Sequence, residues 1–182
     1  DVDRLDVTPA EKEPYLLCLA RICPDKGQHV AIEVARRTGM RLVLAGKVES
    51  TPQAIDYFER HIAPAVDDKR VVHLHNVAGD EKAQLLSRAH ALLAPLQWEE
   101  PFGLAMVEAM ASGTPVIAMA RGAAPELVIE GVTGFLVNDV DQMAYSVPLA
   151  AGLDPRLCAD AMRARFSPSA MAQAYLRLYE GG

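Results

Sequence analysis

Residues 91–120 read ALLAPLQWEEPFGLAMVEAMASGTPVIAMA, and this stretch decides the fold. Two short runs, ALLAPL (91–96) and PVIAMA (115–120), are apolar at almost every position and flank a helix-length segment at 103–112. A strand apolar on both sides must be covered on both faces, which is the condition of a parallel sheet between helix layers. The helical segment between the runs then serves as the crossover that parallel neighbours require.

The same alternation extends upstream. YLLCLA (15–20) precedes a helical pattern at 26–38, RLVLAG (41–46) one at 52–64, and VVHL (71–74) one at 80–89. A shorter sixth strand is expected at GFLV (134–137). Purely helical segments follow near 140–151, 155–165 and 168–180, where Pro155 and Pro168 suit the first turn of a helix. The expected architecture is α/β: a doubly wound, parallel, six-stranded Rossmann-like sheet with a C-terminal helical tail. Residues 1–14, DVDRLDVTPAEKEP, are polar and read as a linker or arm, leaving 15–182 as the domain proper.

Composition narrows the function. Of 182 residues, 51% are hydrophobic and 23% charged, which excludes disordered and collagen-like classes. The net charge of −6, without a basic stripe, leaves no nucleic-acid partner to expect. No transmembrane segment is expected either, because Glu108 and Arg121 interrupt the most apolar stretch. Cys18, Cys23 and Cys158 show neither CxxC nor Cys/His spacing, so no disulfide framework or structural zinc is indicated and a reducing, cytoplasmic compartment is the expectation. A start at Asp1 without Met suggests a fragment or a trimmed chain.

In open α/β sheets the ligand lies beyond the carboxyl ends of the strands, where the strand order reverses, commonly between strands 1 and 4. The loops to inspect are therefore Ala20-Arg21-Ile22-Cys23-Pro24-Asp25-Lys26-Gly27 and Gln97-Trp98-Glu99-Glu100-Pro101-Phe102-Gly103. Neither a GxGxxG nor a GxxxxGK[ST] pattern occurs, so dinucleotide and P-loop binding lack their signatures. Arg21 and Lys26 can instead address one anion from two sides of a turn, while backbone N–H groups near Gly103 and Leu104 face it from the other loop. Such a set suits a diphosphate. The competing readings are a solvated lysine at a helix start and an arginine paired to Asp25.

Glu108 shares a helical stripe with Leu104, Val107 and Ala111, which puts a carboxylate on a mostly apolar face. Such a carboxylate needs a partner: a ribose diol or an arginine elsewhere in the chain. Glu100 can support the following helix N-terminus or accept sugar hydroxyls, and Glu99 competes for the second task. His73 and His75 alternate onto one side of a strand without a third metal ligand in reach, which favours a structural role; no metal site is expected. Trp98 either lines the crevice or covers strand-end hydrophobics.

Glu100-Pro-Phe-Gly-Leu-Ala-Met-Val-Glu108 is an E-x7-E motif, followed by Gly122-Ala-Ala-Pro-Glu126 and Gly131-Val-Thr-Gly134. Together with Arg21, Lys26 and Gly27, this ordered series resembles the C-terminal, donor-binding lobe of the retaining GT-B glycosyltransferases known as glycosyl transferases group 1. The resemblance covers essentially the whole chain. It implies that Arg21 and Lys26 neutralise the donor diphosphate, that Glu100 contacts the donor sugar and that Glu108 holds the ribose. It further implies that backbone groups of Phe102, Gly103 and Leu104 approach phosphate and sugar, and that Val77 reads the nucleobase through its backbone. Where the family often has Gly-x-Gly, this chain has Gly46-Lys47-Val48, which leaves Lys47 beside the donor with no assigned role. Gly122-Ala123-Ala124 likewise stands where Gly-Gly is frequent.

The implied activity is transfer of a sugar from a UDP-, GDP- or ADP-sugar with retention, without a metal or cofactor. The implied partners are that donor and an N-terminal acceptor-binding lobe of the same parent protein, through which the protein could be peripheral to a membrane. Without that lobe, the domain is expected to bind donor but not turn it over. The alternatives are a stand-alone nucleotide-sugar-binding module and the lobe of a sugar-nucleotide epimerase.

Overall fold

The computed structural model describes residues 10–166. The helical segment expected at 168–180 lies outside them, as do residues 1–9 of the arm. Six strands, β1 (Tyr15–Leu19), β2 (Arg41–Ala45), β3 (Val71–Leu74), β4 (Ala91–Ala94), β5 (Val116–Met119) and β6 (Gly134–Val137), form one sheet in the order β3-β2-β1-β4-β5-β6. Every pairing is parallel, with Leu17 opposite Val43 on one side and Leu92 on the other. Leu16 and Leu17, adjacent in sequence and therefore on opposite faces, are both completely buried. The apolar runs of β1, β2, β4 and β5 thus read correctly as strands covered on both sides, whereas the edge strands β3 and β6 are partly exposed.

The helices are α1 (Gln28–Thr38), α2 (Pro52–Tyr57), α3 (Gly79–Arg88), α4 (Leu104–Ala111), α5 (Ala124–Leu127), α6 (Val140–Ala150) and α7 (Pro155–Phe166). α1 packs against α6, while α4 packs against α3 and α7. Of the expected helices, the one after β1 starts later than its pattern and the one after β2 changes type along its length. Lys26 ends a separate 3-10 turn, Pro24–Lys26, and Gly27 at φ +68° breaks the path before α1 begins. A Cβ at Gly27 would also run into the carbonyl oxygen of Pro95, so the position demands glycine twice over. The pattern at 52–64 gives α2, then a π-helical turn Phe58–Ile62 and a 3-10 turn Ala63–Ala65, because Pro64 has no N–H with which to continue the ladder. The short α5 has no counterpart in the sequence pattern.

Lys12 and Glu13 are fastened to the domain. The Lys12 ammonium donates to the Ser87 carbonyl at 2.8 Å and to Thr114 Oγ1 at 2.6 Å, and Glu13 N–H donates to the Arg88 carbonyl at 2.7 Å. Burial pushes Lys12 down to about 8, an effect eased by nearby Cys158.

Candidate functional site

The strand order reverses between β1 and β4, and a crevice of about 750 Å³ opens beyond their carboxyl ends. Gln97 N–H donates to the Asp25 carbonyl at 2.8 Å, so the loop after β1 and the loop after β4 are hydrogen-bonded to each other. Gly27 packs against Pro95 at the same junction. The two loops expected to share a ligand therefore form one surface.

Lys26 and Glu100 meet on that surface. They form an ion pair whose side chains are only 14% and 13% exposed. The Lys26 ammonium also lies 4.8 Å from the centre of the Trp98 ring, and Trp98 Nε1–H donates to Glu100 Oε2 at 3.1 Å. Trp98 thus braces the pair. Glu99 points elsewhere and accepts from Gly122 N–H at 2.6 Å, so Glu100 is the member of the Glu-Glu pair whose side chain enters the crevice.

Arg21 pairs with Glu49, not with Asp25, and its side chain is 63% exposed at the crevice edge. Its backbone carbonyl is held by Gln28, a fully buried side chain at the start of α1, through Nε2–H at 2.8 Å. Lys47 lines the same edge and pairs with no carboxylate among the described residues. Lys26 points into the crevice from within the loop, whereas Arg21 and Lys47 border it from the β1 and β2 tips.

On the opposite wall, Gly103 at φ +78° turns the chain into α4, and a Cβ there would collide with Met106. The first amides of α4 have no acceptor within the helix, and Gly103, Leu104 and Ala105 line the crevice where those amides lie. The Phe102 side chain does not join them. It turns outward, edge-on to Phe166 with ring centroids 6.5 Å apart. Val77 completes the far end of the wall with His75 and Asn76.

Glu108 enters the crevice from α4, and its partner is Lys82 of α3 instead of an arginine: Nζ lies 2.7 Å from Oε1 and 2.6 Å from Oε2. Sequence reasoning did not single out Lys82, nor Glu49. His73, on β3, is bonded through Nε2 to the Gly46 carbonyl at 2.9 Å. Cys18 also lines the crevice; burial pushes its thiol up to about 12, partly offset by Lys26, so at neutral pH it is an uncharged apolar surface. Four cationic side chains and three carboxylates face one another here, in a chain of net charge −6.

A parallel β3-β2-β1-β4-β5-β6 sheet with its crevice at the β1/β4 reversal, entered by E-x7-E carboxylates, has the fold of a GT-B glycosyltransferase lobe. The chain belongs to the family glycosyl transferases group 1, which it matches over residues 2–170. A trehalose synthase of Pyrococcus horikoshii is 31% identical over 154 residues, covering 80% of this chain and 37% of the relative. A D-inositol 3-phosphate glycosyltransferase of Corynebacterium glutamicum is 31% identical over 163 residues, covering 86% of this chain and 38% of that protein. Among solved structures, AviGT4, a glycosyltransferase involved in avilamycin A biosynthesis, superimposes with TM-score 0.79 at 29% identity, over 99% of this chain and 55% of that one. Anabaena Alr3699/HepE, solved in complex with UDP-glucose, shares the fold with TM-score 0.78 at 24% identity, over 93% and 49% of the two chains. The chain therefore spans little more than a third of these curated relatives and about half of these structural neighbours. Among the described residues, no helix is long and apolar enough to cross a membrane.

Proposed function

We propose that this chain is the donor-binding lobe of a retaining glycosyltransferase that moves a sugar from a nucleoside-diphosphate sugar to an acceptor held by a second, N-terminal lobe. The observation that carries the reading is the junction of the β1 and β4 loops. Lys26 and Glu100 stand together on it, with Arg21 at its edge and the first amides of α4 opposite.

In this reading the diphosphate lies between the β1 tip and the start of α4. Lys26, Arg21 and Lys47 face its oxygens, the α4 amides add hydrogen bonds, Glu108 takes the ribose diol and backbone atoms near Val77 meet the base. Glu100 accepts hydroxyls of the donor sugar, with its carboxylate braced by Trp98 and Lys26. As the bond between the anomeric carbon and the diphosphate oxygen breaks, its electron pair stays with the diphosphate. Cations already in place there lower the barrier without reorganising. The acceptor oxygen bonds to the anomeric carbon on the face the diphosphate leaves, which retains configuration, and the acceptor proton passes to a diphosphate oxygen. These side chains supply the positive charge that the leaving group needs, so the transfer is proposed to run without a metal, and no cofactor enters the scheme.

Thermal unfolding with UDP, GDP and ADP tests the reading. UDP heads the series because HepE, of the same fold, was solved with UDP-glucose. A ligand at 100 times its dissociation constant stabilises by about 2.7 kcal/mol, which raises the midpoint of a chain this size by roughly 5–10 °C. No shift with any of the three would remove donor binding as the function of the crevice.

A further inference from the structure

Lys82 lies outside the Glu100–Glu108 segment, yet it is the side chain that holds Glu108. Its ammonium bridges both carboxylate oxygens, at 2.7 and 2.6 Å, and the two side chains are 30% and 18% exposed. Both line the crevice, so the pair is a part of the ligand wall and not a surface ion pair beside it. α3 follows directly on the segment that carries Val77, and α4 carries Glu108; the pair fastens one helix to the other where they meet the crevice.

The geometry bears on what Glu108 can accept. A carboxylate offers about four lone-pair positions, and one ammonium bridging both oxygens takes two of them. Two remain, the number a vicinal diol needs. A Glu side chain rotates freely about its last bonds, so without the bridge the carboxylate must be ordered by the ligand itself, at a cost in entropy that weakens binding.

We infer that Lys82 is a positioning residue: it holds the Glu108 carboxylate in the orientation that accepts the 2′,3′-diol of the ligand's ribose. The inference rests on the donor-binding reading above. It predicts that the effect of losing Lys82 passes through Glu108 and through the diol, and not through the phosphates.

Isothermal titration tests this with whichever of UDP, GDP and ADP binds the chain most tightly, together with its 2′,3′-dideoxy form. Lys82→Met is expected to weaken the ribose-bearing ligand about tenfold, the scale of one charge-assisted hydrogen bond. The dideoxy form should change less than about threefold. Lys82→Arg, which keeps a donor to both oxygens, should stay within about threefold of the unaltered chain. In a Glu108→Gln background, Lys82→Met should have little further effect. Equal weakening of both ligands would make Lys82 a general phosphate-attracting charge and overturn the inference. Tighter binding by Lys82→Met would make it a plug that the diol must displace, which also overturns it. If the unaltered chain binds none of the three, both this inference and the donor-binding reading fall; if it binds and Lys82→Met changes nothing, only this inference does.

Discussion

Lys26 and Glu100 are ion-paired across the junction of two loops that lie 74 residues apart in the chain, with the Trp98 ring against the ammonium. Both side chains are largely withdrawn from water, so removing either strands the other's charge, a change that typically costs more than the intact pair contributes. Each side chain therefore holds the other in place in the free protein. Lys26→Ala should weaken binding of the best of UDP, GDP and ADP at least tenfold, measured by titration, because it removes the cation and leaves Glu100 to repel the anion.

The two carboxylates of the E-x7-E motif should separate by ligand. Glu108→Ala is expected to weaken a nucleoside diphosphate with or without its sugar, whereas Glu100→Ala should mainly affect sugar-bearing donors. Titrating each variant with UDP and UDP-glucose, or the corresponding pair for another base, reads the difference. Equal losses in both series would abolish the assigned division of labour.

Arg21 is engaged by Glu49 at the crevice edge, and a diphosphate has to compete for it. Glu49→Gln should tighten nucleoside diphosphate binding about two- to fivefold at low salt, with most of the gain lost at 0.5 M salt, since exposed ion pairs are worth little and are readily screened. Weaker binding by this variant would mean that Glu49 orients Arg21 for the ligand instead of withholding it.

Lys12 gives a stability signature with a definite sign. Its proton is held less tightly in the folded protein, at about 8, than in ordinary lysine at 10.5. The unfolded chain therefore binds more protons between these values, so this residue makes stability rise with pH across that window. The buried Cys18 and Cys158 thiols, pushed from 9.0 up to about 12, act in the opposite sense above pH 9. Denaturant titrations of the unaltered chain and Lys12→Met at pH 7.5 and 9 isolate the effect: the stability difference between the two chains should shift toward the unaltered one at the higher pH.

Gly27 combines a left-handed backbone with contact against the Pro95 carbonyl. Gly27→Ala should cost about 2 kcal/mol or more by denaturant unfolding, since neither strain nor overlap can relax without parting the loops. Ligand affinity should fall with it.

The sheet is legible because a parallel strand buried on both faces leaves an unbroken apolar run, as ALLA and VIAM do in β4 and β5; the half-exposed edge strands β3 and β6 also coincide with VVHL and GFLV to the residue. The helix after β1 starts two residues later than its pattern, and the segment after β2 stays helical to Ala65 but changes type on the way. The periodicity of an apolar face continues through a 3-10 or π turn, and only the φ of Gly27 and the missing N–H of Pro64 reveal the break. That Glu108 needs a partner followed from its place on an apolar stripe, but not which partner. Lys82 is 26 residues away on a helix whose packing against α4 is a tertiary fact. The choice between Glu99 and Glu100 was undetermined for the same reason: it depends on Gly122 reaching back to the loop.

The bond from Gln97 to Asp25 has a consequence for how such a binding surface can change. With the backbones of both loops stitched together, inserting or deleting a residue in either would disturb the other, so length variation is closed off as a route to new ligands. What stays open is exchange of side chains on an unchanged frame, and a different preference can be acquired one substitution at a time without the frame being rebuilt.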